Sequence, residues 1–339
     1  MGKKVAVALS GGVDSTMSAL YLKEAGYDVE GLHFNIHNID EQNKQSLFYV
    51  KKVASFLDIP FEIIDLKEEF RSTIYTHFIE SYKKGDTPNP CALCNKSIKF
   101  GKVYEFIKQK GFDYLATGHY ARSDGEFLYK GVDRRKDQSY FMYGIKKQIL
   151  KDLLFPLGSK LKEDIKKDAM QIPLLKEIAE KKESSEICFV PTNYIDVLKN
   201  EIETDTPGIV VDEKGRDIGV HKGYMHYTIG KRKGFDVPLS HDKLYVKELD
   251  ASKNQIVVSQ KDGLYRKTIE VEVDNLFTTL DSLEYEVKIR YNTEPAKAYI
   301  TIVDGVASIE FEESVFGVAR GQIAAFYQGE QLLGGGVIR

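Results

Sequence analysis

Three cysteines and one glycine-rich hexapeptide carry most of the chemistry available to this chain. Ser10-Gly-Gly-Val-Asp-Ser15 follows the apolar run Val5 to Leu9 and opens a helical pattern. Its two glycines let backbone amides approach an anion, Ser10 and Ser15 add hydroxyl donors, and the helix N-terminus adds its dipole. Asp14 is a candidate ligand for Mg²⁺ between phosphates. The hexapeptide lacks the lysine of the Walker loop and the spacing of dinucleotide folds, so neither fits. Cys91 and Cys94 lie in Thr87-Pro-Asn-Pro-Cys-Ala-Leu-Cys-Asn-Lys96, and Cys188 follows in Ile187-Cys-Phe189. A thiol near a helix start and beside Lys96, Lys99 and Lys102 is expected to ionise below the free value of about 8.5, which suits a nucleophile. Cys188 reads either as a reactive thiol or as a small buried hydrophobe.

The elements that must hold these residues alternate through the first 120 positions. Apolar runs at Val5 to Leu9, Val29 to Phe34, Phe61 to Leu66 and Tyr114 to His119 are separated by helical patterns at Thr16 to Gly26, Gln45 to Leu57 and Ser97 to Lys110. This is a βαβαβ pattern and predicts a parallel sheet covered on both faces. From Ser159 a short helical region follows, with Leu161, Ile165, Ala169 and Ile172 on one face until Pro173 interrupts it. After Pro207-Gly208 come short β segments from Gln255 to Val337, several separated by Asp-Gly or Gln-Gly turns, which predict a small closed antiparallel barrel. The expected architecture is α/β: residues 1–158 as nucleotide-binding domain, 159–206 as helical connector, and 207–339 as C-terminal β-barrel.

Composition narrows the class. In 339 residues, 42% are apolar and 29% charged, and no apolar run approaches the roughly 18–20 residues of a membrane span. A soluble cytoplasmic protein without membrane partners is expected. Three cysteines cannot build a disulfide framework and are available as thiols. His221, His226 and His241 lack zinc-site spacing. The 48 basic and 51 acidic residues give a net charge of −3, which taken alone argues against a nucleic-acid partner. The average hides a segregation, because residues 92–151 hold 13 Lys/Arg against 6 Asp/Glu, a local +7, leaving −10 for the rest. Lys231-Arg-Lys233 between Gly230 and Gly234 reads as a phosphate-contacting loop.

The hexapeptide resembles the loop of the pyrophosphate-loop ATPases, whose domain is of the adenine nucleotide alpha hydrolase-like (HUP) type. With Thr87-Pro-Asn-Pro90, Leu93-Cys-Asn-Lys96, Ala116-Thr-Gly-His-Tyr120, Lys136-Asp-Gln-Ser-Tyr-Phe141, Ile187-Cys-Phe189 and Gly230-Lys-Arg-Lys-Gly234, nearly the whole chain is similar to the tRNA-specific 2-thiouridylases. That resemblance implies ATP bound at Ala8, Leu9, Ser10, Gly11, Gly12, Val13, Asp14 and Ser15, with Phe34 and Gly118 lining the nucleotide. Asn89, Pro90 and Cys91 would face the target base. His119, Lys136, Asp137, Gln138, Arg290, Tyr291 and Gln322 would contact tRNA. The implied reaction adenylates O2 of the wobble uridine and delivers sulfur from a Cys188 persulfide, with Cys94 as second thiol and a Cys94–Cys188 disulfide as product. The sulfur would come from a cysteine desulfurase or a sulfur-relay protein.

The chain departs from the family pattern in three places. Cys91 replaces an acidic residue, Phe34 replaces a methionine in a chain without tryptophan, and Arg320 replaces a proline before Gly321-Gln322. The first departure also admits a [4Fe–4S] cluster on Cys91, Cys94 and Cys188 as sulfur carrier. A non-catalytic ATP- or tRNA-binding relative is the remaining alternative.

Overall fold

The computed structural model describes residues 2–37, 39–180, 187–190, 192–238, 243–282 and 284–339. His241, weighed above as a metal ligand, lies outside them. The chain divides into two compact units: residues 1–74, 91–185 and 328–334 form the first, and residues 75–90, 186–327 and 335–339 the second.

The first unit is built on a parallel sheet. Its strands are β1 (Lys4–Ala8), β2 (Asp28–Asn35), β3 (Phe61–Asp65), β4 (Tyr114–Ala116) and β7 (Leu153–Leu154), in the spatial order β3-β2-β1-β4-β7. Val5, Ala6 and Val7 are fully buried, as expected for a central strand covered on both faces. The covering helices include α1 (Val13–Glu24) and α2 (Asp40–Leu57). Met17 and Leu22 of α1 share a core with Val50, Val53 and Leu57 of α2, and with Ile165, Leu175 and Ile178 of the helices Lys162–Met170 and Pro173–Ala179. Pro173 begins the second of those helices, where its missing N–H costs nothing. A hairpin of β5 (Ala121–Ser123) and β6 (Leu128–Lys130) follows β4, and β6 pairs with Gln331 and Leu332.

β1 sits between β2 and β4, so the chain leaves toward one side after β1 and returns on the other at β4. In parallel sheets a crevice opens at the carboxyl ends of two such strands. The hexapeptide after β1 and the Thr117–Tyr120 segment after β4 both lie at that point.

The second unit contains two β bodies. β8 (Gly208–Val211), β9 (Asp217–His221), β10 (Phe235–Asp236), β11 (Tyr245–Asp250) and β12 (Gln255–Ser259) form one sheet in the order β10-β9-β8-β12-β11. Gln255 to Ser259 therefore does not belong to the barrel: it pairs parallel with β8. The barrel comprises β13 (Tyr265–Leu276), β14 (Tyr285–Lys288), β15 (Ala296–Val303), β16 (Val306–Phe316), β17 (Ile323–Gln328) and β18 (Gln331–Ile338). Their order is β13-β16-β15-β14-β17-β18, closed by pairing of β13 with β18. Closure leaves no edge, and β16 alternates as a one-sided strand should, with Ala307, Ile309 and Phe311 buried between exposed Ser308, Glu310 and Glu312. Among the described residues no helix is long and apolar enough to cross a membrane.

Candidate active site

The hexapeptide is pre-shaped by its own hydrogen bonds. The Ser10 amide donates to Ser15 Oγ at 3.2 Å, and Ser15 Oγ and Thr16 Oγ1 donate to the Gly12 carbonyl at 3.1 and 2.9 Å. Gly11 has φ +76°, and a Cβ there would lie 2.8 Å from the Ser46 carbonyl oxygen. Both facts require glycine. Gly118 closes the other wall: a Cβ on it would stand 3.0 Å from the Asp14 carbonyl carbon and the Ser15 nitrogen. Phe34 lies near the carboxyl end of β2, two residues past the pairing of Leu32 with Ala8. The nucleotide-site candidates of β1, the loop and Gly118 thus come together around the N-terminus of α1, an arrangement suited to an anion.

A residue that the sequence pattern did not single out completes this wall. Lys162 is 5% exposed, and its Nζ donates to both oxygens of Asp14 at 2.6 and 2.7 Å. Its amide is held by the buried Asp133 carboxylate at 3.1 Å. The Tyr120 hydroxyl donates to the same Asp14 carboxylate at 2.8 Å, and Tyr120 is pinned in turn by Gln138, whose Oε1 accepts from the Tyr120 amide. The cation facing Asp14 is therefore an ammonium group. Lys162 and Tyr120 occupy part of the Asp14 carboxylate, and 34% of that side chain stays exposed. The only sequence signal for Lys162 was a helix start 148 residues away from Asp14.

Cys94 lies on a helix that runs without a break from Pro90 to Gln109, longer than the segment expected from Ser97. Pro90–Cys94 is α-helical, Asn95–Val103 is a π-helix, and Tyr104–Gln109 is α-helical again. Pro90 starts it because its fixed φ suits the first turn. Wide π turns of this kind often occur at functional positions. Cys91 is exposed and Cys94 is buried. Burial pushes the Cys94 thiol up to about 11, and the Lys99 charge only partly offsets this. The expected depression of the thiol is thus overturned, because desolvation outweighs a nearby cation. Alkylation by iodoacetamide, followed by peptide mass spectrometry, is expected to be slow at Cys94 below pH 9 and to rise about tenfold per pH unit. Rapid labelling at pH 7 would contradict this.

His119 is held neutral: burial lowers it well below its ordinary value, with Lys99 adding to the effect, and Thr117 Oγ1 lies 2.7 Å from its Nδ1. The neutral imidazole is thereby favoured. Asp137 is buried and faces inward, with its oxygens accepting from Gly131, from the Ser139 amide and from the Ser139 hydroxyl. Like Gln138 it shapes a loop. The basic block is also partly neutralised, since Lys102, Lys108, Lys110 and Lys147 each pair with a carboxylate.

Cys188 belongs to the second unit and is exposed. Its neighbours Phe189 and Val190 are buried, and the Phe189 ring packs on Phe78 and Tyr75 at 5.1 and 5.7 Å. The anchored neighbours display the thiol, so the buried-hydrophobe reading of Cys188 falls away. Among the described residues no three His, Cys, Asp or Glu side chains are grouped as metal ligands.

In the same unit Gln322 Nε2 donates to the Thr87 carbonyl at 3.0 Å, the Thr87 amide donates to the Arg320 carbonyl at 2.8 Å, and Arg320 pairs with Asp86 at 3.4 Å. These contacts strap residues 86–88, just before Asn89 and Pro90, to the barrel. Gln322 is thus a brace, and the arginine that replaces the usual proline takes part in the same strap. Arg290 donates to the carbonyls of Ile229, at 3.2 Å, and Gly317. Its guanidinium ties loops together, while Tyr291 sits beneath Lys288.

Comparison with known proteins gives one consistent result. A family profile described as the tRNA methyl transferase HUP domain matches residues 3–192. The tRNA methyl transferase PRC-barrel profile matches 195–260, and the aminomethyltransferase beta-barrel profile matches 266–338. The tRNA-specific 2-thiouridylase MnmA of a Nitratiruptor species is 48% identical over 338 residues, covering 100% of both chains. That of Sulfurimonas denitrificans is 47% identical, covering 100% of this chain and 99% of its own. That of Campylobacter fetus subsp. fetus is 48% identical, covering 99% and 100%. With near-complete coverage at this identity, the chain belongs to the MnmA family of tRNA-specific 2-thiouridylases.

Proposed function

We propose that this protein carries out ATP-dependent 2-thiolation of the wobble uridine of tRNA. The observation that carries the reading is that one chain, related to the 2-thiouridylases over its full length, holds both a phosphate cradle and a displayed thiol. ATP, the co-substrate, would lie against the loop Ala8 to Ser15, Phe34 and Gly118, and Lys162, held on Asp14, would supply a cation beside its phosphates. Uridine O2 attacks the α-phosphorus and pyrophosphate leaves. A carbonyl oxygen is a very poor leaving group, and as part of AMP it becomes a good one.

The outer sulfur of a Cys188 persulfide then forms the bond to C2, and the C2–O bond breaks as AMP departs. Cys94 attacks Sγ of Cys188, the sulfur–sulfur bond breaks, and 2-thiouridine leaves with a Cys94–Cys188 disulfide behind it. Alternatively, Cys94 attacks the persulfide first and the released hydrosulfide adds to C2. Either way a two-electron reductant must restore the thiols, and a persulfide donor such as a cysteine desulfurase or sulfur-relay protein must reload Cys188. The high resting value of Cys94 supports an order in which its proton leaves only after substrate arrives. Asn89, Pro90 and Cys91 face the base in this reading, and the thiol of Cys91 stands where the family pattern implies an acidic residue.

The test combines protein, ATP with Mg²⁺, a persulfide source and unmodified tRNA, and then measures 2-thiouridine in the nucleoside digest. Product that requires both ATP and the persulfide is expected. Its absence under both reducing and anaerobic conditions would sink the proposal.

A further inference from the structure

The Gly230–Gly234 loop is not used by the reaction, yet it is built with care. Gly230 and Gly234 adopt φ of +89° and +97°, so both ends of the loop turn where other residues are strained. The Gly230 amide donates to the Val246 carbonyl at 2.8 Å and the Val246 amide to the Lys231 carbonyl at 2.9 Å, which fixes the loop against β11. Within it, Lys231 turns back: its Nζ donates to the His226 carbonyl at 2.7 Å. Arg232 and Lys233 are exposed.

Arg232 lies over the Tyr245 ring at 5.8 Å. Tyr245 meets Phe316 edge to face with ring centres 6.3 Å apart, and Phe316 meets Tyr265 at 5.5 Å. Tyr265 and Phe316 are opposed residues of paired strands β13 and β16, so their rings share one face by register. Lys261 Nζ stands 5.9 Å from the Phe316 ring. The result is a run of three aromatic rings with one exposed cation over the Tyr245 end and another beside the central Phe316 ring. Tyr265 is 38% exposed, more than a large ring concerned only with packing needs to be.

We infer that this surface is a second contact for the RNA substrate, on which unpaired bases stack against Tyr265 and Tyr245 while Arg232 and Lys261 meet the flanking phosphates. Aromatic faces interleaved with cations are how proteins hold single-stranded nucleic acid, and the positive groups complement the phosphate backbone. A purely electrostatic surface would not need the rings. The inference rests on the proposed tRNA reading for the identity of its RNA, but the surface can be tested independently.

Fluorescence anisotropy is measured with two probes, unmodified tRNA and a fluorescein-labelled octauridylate, across a salt series. Tyr265→Leu combined with Tyr245→Leu is expected to weaken octauridylate binding about tenfold with little change in salt slope. Tyr265→Phe alone should retain it, which separates a stacking face from a folding defect. Arg232→Gln with Lys261→Gln should weaken binding of both probes and reduce the salt slope by about two. Unchanged affinity in the leucine variants would overturn the inference, and so would equal competition by an acidic polypeptide such as polyglutamate. If the intact protein binds octauridylate through these residues but not tRNA, the surface stands and the tRNA reading fails. If it binds tRNA and all variants bind equally well, the reverse holds.

Discussion

Cys188→Ser protein is expected to form no detectable 2-thiouridine while still releasing pyrophosphate from ATP in the presence of tRNA. The serine keeps the volume and exposure of the side chain but cannot hold a sulfane sulfur. Phe189 and Val190, which anchor the segment, are untouched, so the fold should be unaffected. Cys94→Ser should behave differently in one respect: Cys188 can still be loaded, and the bound persulfide accumulates because nothing releases its sulfur. Intact-protein mass spectrometry would detect the added sulfur atom on Cys94→Ser and not on Cys188→Ser. Normal 2-thiouridine production by either variant would remove these thiols from the reaction.

The second large effect is expected at Lys162 and Asp14, and the two substitutions should not be equivalent. The Lys162 side chain is 7% exposed and that of Asp14 34%. Removing the carboxylate therefore strands a buried ammonium, whereas removing the ammonium leaves a carboxylate that retains the Tyr120 hydroxyl and some water. Asp14→Ala is expected to cost about 3 kcal/mol of stability and Lys162→Met less, about 1–2 kcal/mol, since breaking one side of a buried pair is costly in proportion to the burial of what remains. Activity should follow the opposite order of interest. Loss of a pre-positioned cation at developing phosphate charge typically costs about 10²–10³ in rate, so Lys162→Met should remain folded and yet fail in pyrophosphate release. Urea denaturation and a pyrophosphate assay on the same samples separate the two effects. Full activity in Lys162→Met would show that the lysine serves only to satisfy Asp14.

Most of what was legible in the sequence was local. The hexapeptide, its preceding strand and the helix after it follow from adjacent residues, and so do the parallel sheet pattern and the hairpin turns of the barrel. What could not be read depends on burial or on contacts between distant positions. Lys96, Lys99 and Lys102 suggested an acidic thiol at Cys94, but the sequence does not reveal how completely packing would remove water from it. Asp137 and Gln138, placed by the resemblance among the tRNA contacts, hold local backbone through bonds that the sequence does not reveal. Gln255 to Ser259 has the composition of any short strand, and only its parallel partner β8, more than 40 residues earlier, assigns it to a separate sheet. Lys162 was hidden for the same reason, as a lysine at the start of an ordinary amphipathic helix.

The π-helical stretch Asn95–Val103 has a consequence for how this family can tolerate change in chain length. A π segment accommodates residues that an α-helix of the same connections would not, so loss of one residue within it can be absorbed by tightening the backbone to ordinary α geometry. The helix would survive with its hydrogen bonds satisfied. Because each residue of the tighter α form turns further than a π residue does, much of the rotation lost with the residue is recovered, and the flanking turns Pro90–Cys94 and Tyr104–Gln109 stay closer in alignment than after the same deletion in an α-helix. The segment thereby acts as a length buffer beside the second thiol.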